Sequence, residues 1–173
     1  IDPGACEIAK LRLWLSLVVD EEDITQIKPL PNLDYKIVCG NSLLGFPENW
    51  GSPIEKEIEA LMDEYFSVTN SERKRVLKTK IDEKIQSRYA TSEKMFGYKI
   101  NFDFKTVFSK VFREKGGFDV VIANPPYVRQ ERIKDYKPLL RKADYKVYNS
   151  TSDLYTYFYE KSYNILAKNK FLC

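Results

Sequence analysis

The chain has 173 residues, 43% of them hydrophobic and 14% aromatic, which is enough apolar material for one core and too much for a disordered segment. Its formal net charge of +3 excludes a whole-molecule basic field, so any nucleic-acid contact must come from local patches. It has no histidine, and its three cysteines (Cys6, Cys39 and Cys173) lack CxxC spacing, which argues against histidine-based nucleophile pairs, a zinc site and a disulfide framework. No metal is therefore expected, and the cysteine usage fits a reducing cytoplasm. The longest apolar stretch, Leu11 to Val19, is too short to span a membrane and carries Arg12. A start at Ile1 and an apolar Phe171-Leu172-Cys173 end lead us to expect a piece of a longer protein.

Ile1-Asp2-Pro3 reads as a strand end followed by a helix start, because Asp is a good N-cap and Pro is preorganised for the first helical position. Ile8, Leu11, Leu15 and Val18 follow the helical period, with Trp14 and Leu17 widening the face to that of a helix packed on a sheet. The acidic run Asp20 to Asp23 and the proline-bearing Lys28 to Asn32 should end it. Tyr35-Lys36-Ile37-Val38-Cys39 is a candidate strand, with Gly40-Asn41-Ser42 as its turn.

From Pro53 the character changes. Ile54, Ile58, Leu61, Met62, Tyr65 and Phe66 make one amphipathic stripe, and Leu77, Ile81, Ile85 and Tyr89 make a second after the break at Thr69-Asn70-Ser71. The first helix is acidic (Glu55, Glu57, Glu59, Asp63, Glu64). The second is basic (Arg73, Lys74, Arg75, Lys78, Lys80, Lys84, Arg88). Opposite charge predicts an antiparallel helical hairpin. Its basic helix could face DNA, but a charge-complementary solvated insertion is the favoured reading. Phe102, Phe104, Val107, Phe108, Val111 and Phe112 then form an aromatic segment that should anchor the insertion to the core.

Gly117-Phe118-Asp119-Val120-Val121-Ile122-Ala123 reads as a fully buried strand, stopped by Asn124-Pro125-Pro126-Tyr127. In open α/β sheets ligands sit just beyond the carboxyl ends of strands, which puts this tetrapeptide where chemistry is usually done. After it, Arg129, Arg132, Lys134, Lys137, Arg141, Lys142 and Lys146 interleave with Tyr136, Tyr145 and Tyr148. Cations beside stacking rings suit a nucleic-acid-facing loop, and an ordinary solvated helix would show many of the same charges. Ser150 to Asp153 supply cap residues, and Leu154, Tyr157, Phe158, Ile165 and Leu166 give a further sheet-covering helix before a strand at Phe171.

Asn124 offers a side-chain carbonyl and Pro125 a main-chain carbonyl, while the two prolines stiffen the turn and Tyr127 presents a flat face. Two acceptors held close together can grip both hydrogens of an exocyclic amine and aim its lone pair at an electrophile. A proline turn capped by an aromatic ring is the purely structural alternative.

Gly116-Gly117-Phe118-Asp119-Val120-Val121-Ile122-Ala123-Asn124-Pro125-Pro126-Tyr127-Val128-Arg129-Gln130-Glu131 resembles the motif IV region of S-adenosylmethionine-dependent DNA adenine-N6 methyltransferases, most of all the γ-type enzymes within single-chain type IIG restriction-modification proteins. Ile1-Asp2-Pro3 with the helix after it resembles motif II. Ile37-Val38-Cys39-Gly40-Asn41-Ser42-Leu43-Leu44 resembles motif III, and Asp153-Leu154-Tyr155 with Phe158 and Glu160 resembles motif V.

The resemblance implies an α/β fold with a Rossmann-like class I methyltransferase sheet that is incomplete here, lacking its first strand and motif I. On that reading residues 1–52 and 96–173 are two parts of the core and residues 53–95 are the hairpin insertion. It implies that Asn124 and the Pro125 carbonyl accept hydrogen bonds from the amine of an adenine flipped out of double-stranded DNA, that Pro126 shapes the turn, and that Tyr127 stacks on the base. It places Ile1, Asp2, Asn41 and Ser42 on the cofactor side, with Asp153 and Tyr155 near the pocket. Because the glycine-rich motif I is absent, the isolated chain should bind S-adenosylmethionine weakly or not at all. Unpaired sheet edges should also favour dimerisation of the fragment. Rival readings are a methyltransferase acting on a protein glutamine amide and a non-catalytic DNA-binding or assembly module.

Overall fold

The computed structural model describes residues 2–19, 33–47 and 50–173. Packing divides the chain into two units, Ile1–Gly40 and Asn41–Cys173. In the first unit Asp2 caps α1 (Pro3–Val18) by accepting the Gly4 amide at 2.9 Å, with Pro3 in the first turn, as the sequence predicts. The Val19 amide closes the helix on the Leu15 carbonyl. The acidic and proline-bearing stretches expected to end α1 lie outside the described residues.

Two expectations for this unit are overturned. Residues 35–39 form no strand: Tyr35 adopts a left-handed conformation at φ 59°, and the amides of Lys36 and Ile37 both turn back to the Leu33 carbonyl at 3.1 Å. A strand exists only through a ladder with a neighbour, and no other extended element of this unit is present among the described residues. For the same reason α1 covers no sheet within its unit, and Ile8, Leu11 and Leu15 are exposed rather than buried.

The second unit is built on two contacts that the sequence foreshadows. In the first, α2 (Pro53–Ser67) starts with a capping box between Ser52 and Glu55, and α3 (Ser71–Ala90) is capped by Asn70. They pack antiparallel through Ile58, Met62 and Tyr65 against Leu77, Ile81, Ile85 and Tyr89. The ion pairs Glu55–Arg88, Glu57–Lys84 and Glu64–Arg73 run in opposite directions along the two helices, which is the complementarity their charges predict. Phe66 departs from its stripe and is exposed.

The second contact is aromatic. After the short α4 (Ser92–Phe96), α5 (Phe104–Val107) and α6 (Ser109–Lys115) gather Phe104, Phe108 and Phe112 around Phe118, with ring centroids 5.4 to 6.2 Å from it. Pairs Lys110–Asp63 and Arg113–Glu59 join α6 to α2. The aromatic segment thus anchors the hairpin to the strand that carries Phe118.

That strand, β1 (Phe118–Val121), pairs in parallel with β2 (Leu166–Leu172), and the chain crosses between them through α7 (Lys137–Lys142) and α8 (Leu154–Ile165). The result is α/β with a small two-stranded sheet. Gly117 permits the closest approach: a Cβ there would lie 2.6 Å from the Ile165 carbonyl and 2.7 Å from the Ala167 amide. β2 begins at Leu166, directly after α8, rather than at Phe171, because the ladder to Phe118 starts there. Its register shifts between the Phe118 and Val120 pairs, near Asn169 at φ 59°. Nor is β1 fully buried. It has one neighbour, and Val120 and Ile122 stay exposed on the face that no helix covers. No helix among the described residues is long and apolar enough to cross a membrane.

Candidate functional site

The ladder between β1 and β2 runs on past the strands, from the Cys173 amide to the Val121 carbonyl (2.9 Å) and from the Ala123 amide to the Cys173 carbonyl (3.1 Å). Asn124 follows directly, and Pro125 and Pro126 after it have no N–H to offer a neighbouring strand. The tetrapeptide therefore leaves the sheet at the carboxyl end of β1. Asn124 is exposed and Tyr127 is 84% exposed. Neither the Asn124 side chain nor the Pro125 carbonyl is engaged by another described residue, whereas the Pro126 carbonyl accepts the Val128 amide.

Tyr127 has an aromatic neighbour in Tyr155 on the first turn of α8, with centroids 6.0 Å apart and planes at 42°. The chain beyond it is fastened to the same helix end. Asp153 accepts the Gln130 amide at 2.7 Å, and the Leu154 amide donates to the Val128 carbonyl at 3.0 Å. Asp153 was expected near the pocket; what it does is fix the backbone that follows Tyr127.

Asn124 and Pro125 border a pocket of about 270 Å³ whose other walls include Ser42, Phe104, Phe158 and Lys161. Ser42, placed on the cofactor side by sequence, is thus brought to the same cavity as the tetrapeptide. Lys161 and Ser162 were not foreseen, although their position one turn beyond Phe158 on α8 is a readable signal. A second cavity of about 280 Å³, lined in part by Asp103, Tyr145 and Glu160, shares Phe104 and Lys161 with the first.

Ile1 is outside the described residues, and Asp2 serves as the cap of α1. The Asn41 side chain is turned into the fold: it contacts the Tyr136 hydroxyl at 2.7 and 3.1 Å through its two ends, and its carbonyl also accepts the Leu43 amide at 3.0 Å. Burial pushes the Tyr136 hydroxyl above its usual pKa. The Asn41 side chain thus has both its ends engaged, and in the second unit it is Ser42 that lines the cavity beside the tetrapeptide.

Tyr136 and Tyr145, read from sequence as rings that stack or pack, prove to pack. The Tyr145 hydroxyl donates to the Leu43 carbonyl at 2.7 Å, and burial raises its pKa strongly. Together with the Asn41 contact they pin residues 41–44. No group of three or more potential metal-ligating side chains occurs among the described residues.

Over 50 residues the chain is 50% identical to a Methanocaldococcus jannaschii protein provisionally named a type II restriction enzyme and methyltransferase. That stretch covers 27% of this chain and 4% of that protein. Over 50 residues it is 44% identical to the type II methyltransferase M.XhoI of Xanthomonas vasicola, covering 29% of this chain and 9% of the relative. The matches thus span only a small part of either relative's length. No solved structure matches. The family model described as Eco57I restriction-modification methylase matches residues 1–173, so the chain belongs to that family of restriction-modification methylases.

Proposed function

We propose that this chain is the catalytic part of a DNA adenine-N6 methyltransferase of the γ type, within a type IIG restriction-modification protein. Its substrate is an adenine flipped out of double-stranded DNA, and S-adenosylmethionine supplies an electrophilic methyl group. The observation that carries this reading is the state of the tetrapeptide. Two carbonyl acceptors, the Asn124 side chain and Pro125, are left without partners among the described residues at a strand end, beside the exposed ring of Tyr127. Asn124 is exposed and Pro125 half-buried, so both acceptors are open to an incoming ligand without first breaking a hydrogen bond within the protein. An amine with two hydrogens matches them, and a purine ring matches the tyrosine face.

In this reading Asn124 and Pro125 orient the amine and Tyr127 holds the ring. Positioning does most of the work, which suits a chain without histidine. The sheet is a fragment of a Rossmann-like class I methyltransferase core, residues 1–52 and 96–173, with residues 53–95 inserted as the hairpin. Ser42, on the same cavity as the tetrapeptide, is the residue this reading puts on the cofactor side.

The test is Asn124→Ala in the full-length protein. Loss of N6-methyladenine from host DNA, with DNA binding retained, is the expected result. Retained methylation would refute the role of Asn124, and methylation on another base would refute the adenine assignment.

A further inference from the structure

The chain has two basic stretches of similar charge, one on α3 and one after Tyr127, and the structure treats them differently. On α3, Arg73, Lys84 and Arg88 pair with carboxylates of α2, and Arg75 pairs with Glu72 of its own helix. Lys74 lies 5.7 Å from the centre of the Tyr65 ring, and Lys78 also has an intramolecular partner. Lys80 alone of the basic residues named on that helix has none.

After Tyr127 the balance is reversed. Lys137 turns inward to the Ser150 carbonyl and Lys142 reaches the Gly97 carbonyl. Arg129, Arg132, Lys134, Arg141 and Lys146 are all exposed, and none of their side chains makes a hydrogen bond or a close ion pair among the described residues, although Arg129 and Lys134 act on Glu131 at longer range. The acids in the same stretch are Glu131, Asp135 and Asp144. Glu131 is occupied by the Gln130 side-chain amide at 2.8 Å, and its carboxyl is held below the usual range first by its own backbone amide and then by Gln130, Arg129 and Lys134. The cations still outnumber the acids.

The burial pattern explains why these charges stay outside. Ile133 and Leu140 fill the inner side of the 3-10 turn Gln130–Ile133 and of α7, leaving Arg132, Lys134 and Arg141 outward. The segment is also tied to the tetrapeptide at its root. The Gln130 amide to Asp153 and the Leu154 amide to Val128 close residues 131–152 into a loop whose base adjoins Tyr127.

From these observations we infer that Arg129, Arg132, Lys134, Arg141 and Lys146 form the surface that contacts the DNA phosphates, and that the basic helix α3 does not. Exposed cations without a close carboxylate release counterions when they meet phosphates, whereas cations already paired with carboxylates, as most of those on α3 are, gain little. The inference rests on the proposed function only in taking DNA as the partner.

The test is the salt dependence of DNA affinity in the full-length protein, measured on duplexes with and without the recognised sequence. Each phosphate contact contributes a slope of about 0.9 in log Kd against log salt. The combined variant Arg132→Gln, Lys134→Gln, Arg141→Gln should lower the slope by roughly two to three and weaken both duplexes alike, by on the order of tenfold per cation. The control Arg73→Gln, Arg75→Gln, Lys84→Gln on α3, each removing a cation that already pairs with a carboxylate, should leave it unchanged. Single variants Arg132→Gln and Lys146→Gln repeat the measurement with smaller steps, should the combined variant fold poorly. An unchanged slope in the loop variants, or a reduced slope in the α3 control, overturns the inference. DNA binding with a loop-dependent slope but no adenine methylation would sink the proposed function and leave this surface standing. Methylation with a loop-independent slope would do the reverse.

Discussion

Asp153 accepts a hydrogen bond from the backbone amide of Gln130 at 2.7 Å, across 23 residues of chain. A charged acceptor on a main-chain donor is among the stronger hydrogen bonds, worth about 1.5–3 kcal/mol. If it holds the turn after Tyr127 in working position, Asp153→Ala should lower kcat by roughly 10- to 100-fold, since about 1.4 kcal/mol is a factor of ten. Asp153→Asn keeps an acceptor and should recover much of the rate. Steady-state kinetics separating kcat from KM checks this, and equal losses in the two variants would reject the tether.

Tyr127 projects a ring without a hydroxyl partner among the described residues. Tyr127→Phe should therefore behave like the wild type, while Tyr127→Ala loses a stacking face worth about 1–3 kcal/mol. Fluorescence of 2-aminopurine at the target position reads the flipped state, and the Ala variant should show it reduced.

Arg88 is a stability residue. Its side chain is 5% exposed, pairs with Glu55, donates to Thr106 Oγ1 and to the Trp50 carbonyl at 3.1 Å, and lies over the Phe46 ring. Arg88→Ala strands the partly buried Glu55 and should cost about 3–5 kcal/mol. Arg75→Ala, on an exposed pair, should cost less than about 0.5 kcal/mol. Denaturant midpoints of the two variants give the comparison.

At Gly117 any Cβ collides with backbone of the α8–β2 junction, which cannot rotate away. Gly117→Ala should destabilise by about 1–3 kcal/mol or more, and Gly51→Ala, with open space around it, should not. Thermal melts should separate them clearly.

Asp119 is bridged by Lys115 at 2.6 Å and by Lys170 at 2.8 Å, and these partners lower its carboxyl to about 2. A carboxyl depressed on folding adds stability above its unfolded pKa of about 3.9 and loses it as pH falls toward about 2. Both partners are exposed, so the effect is small and screened by salt. Asp119→Asn should flatten the acid-unfolding curve between those values at low ionic strength and match the wild type in high salt.

What was legible in the sequence was mostly local. The Asp2 cap and the opposed charges of α2 and α3 are decided within a few residues or by strong complementarity, and each formed. Residues 35–39 failed as a strand because β-branched and aromatic residues promise only compatibility with pairing. The partner is a non-local fact. Tyr136 and Tyr145 were ambiguous for a related reason, since the atoms that engage their hydroxyls lie 95 and 102 residues earlier in the chain. The polar-proline turn at the end of β1 could be placed from its composition. That Asn124 and Pro125 keep their carbonyls free required coordinates, because composition cannot say which acceptors the rest of the fold will claim.

The two prolines have a mechanical consequence as well. A two-stranded sheet with one irregular strand is poorly guarded against slipping, and a slip of one residue would turn every side chain of β1 to the opposite face. Pro125 and Pro126 cannot donate to a neighbouring strand, so any register that drew them into the ladder would forgo hydrogen bonds. The pair thereby biases how far along the strand axis Asn124 sits.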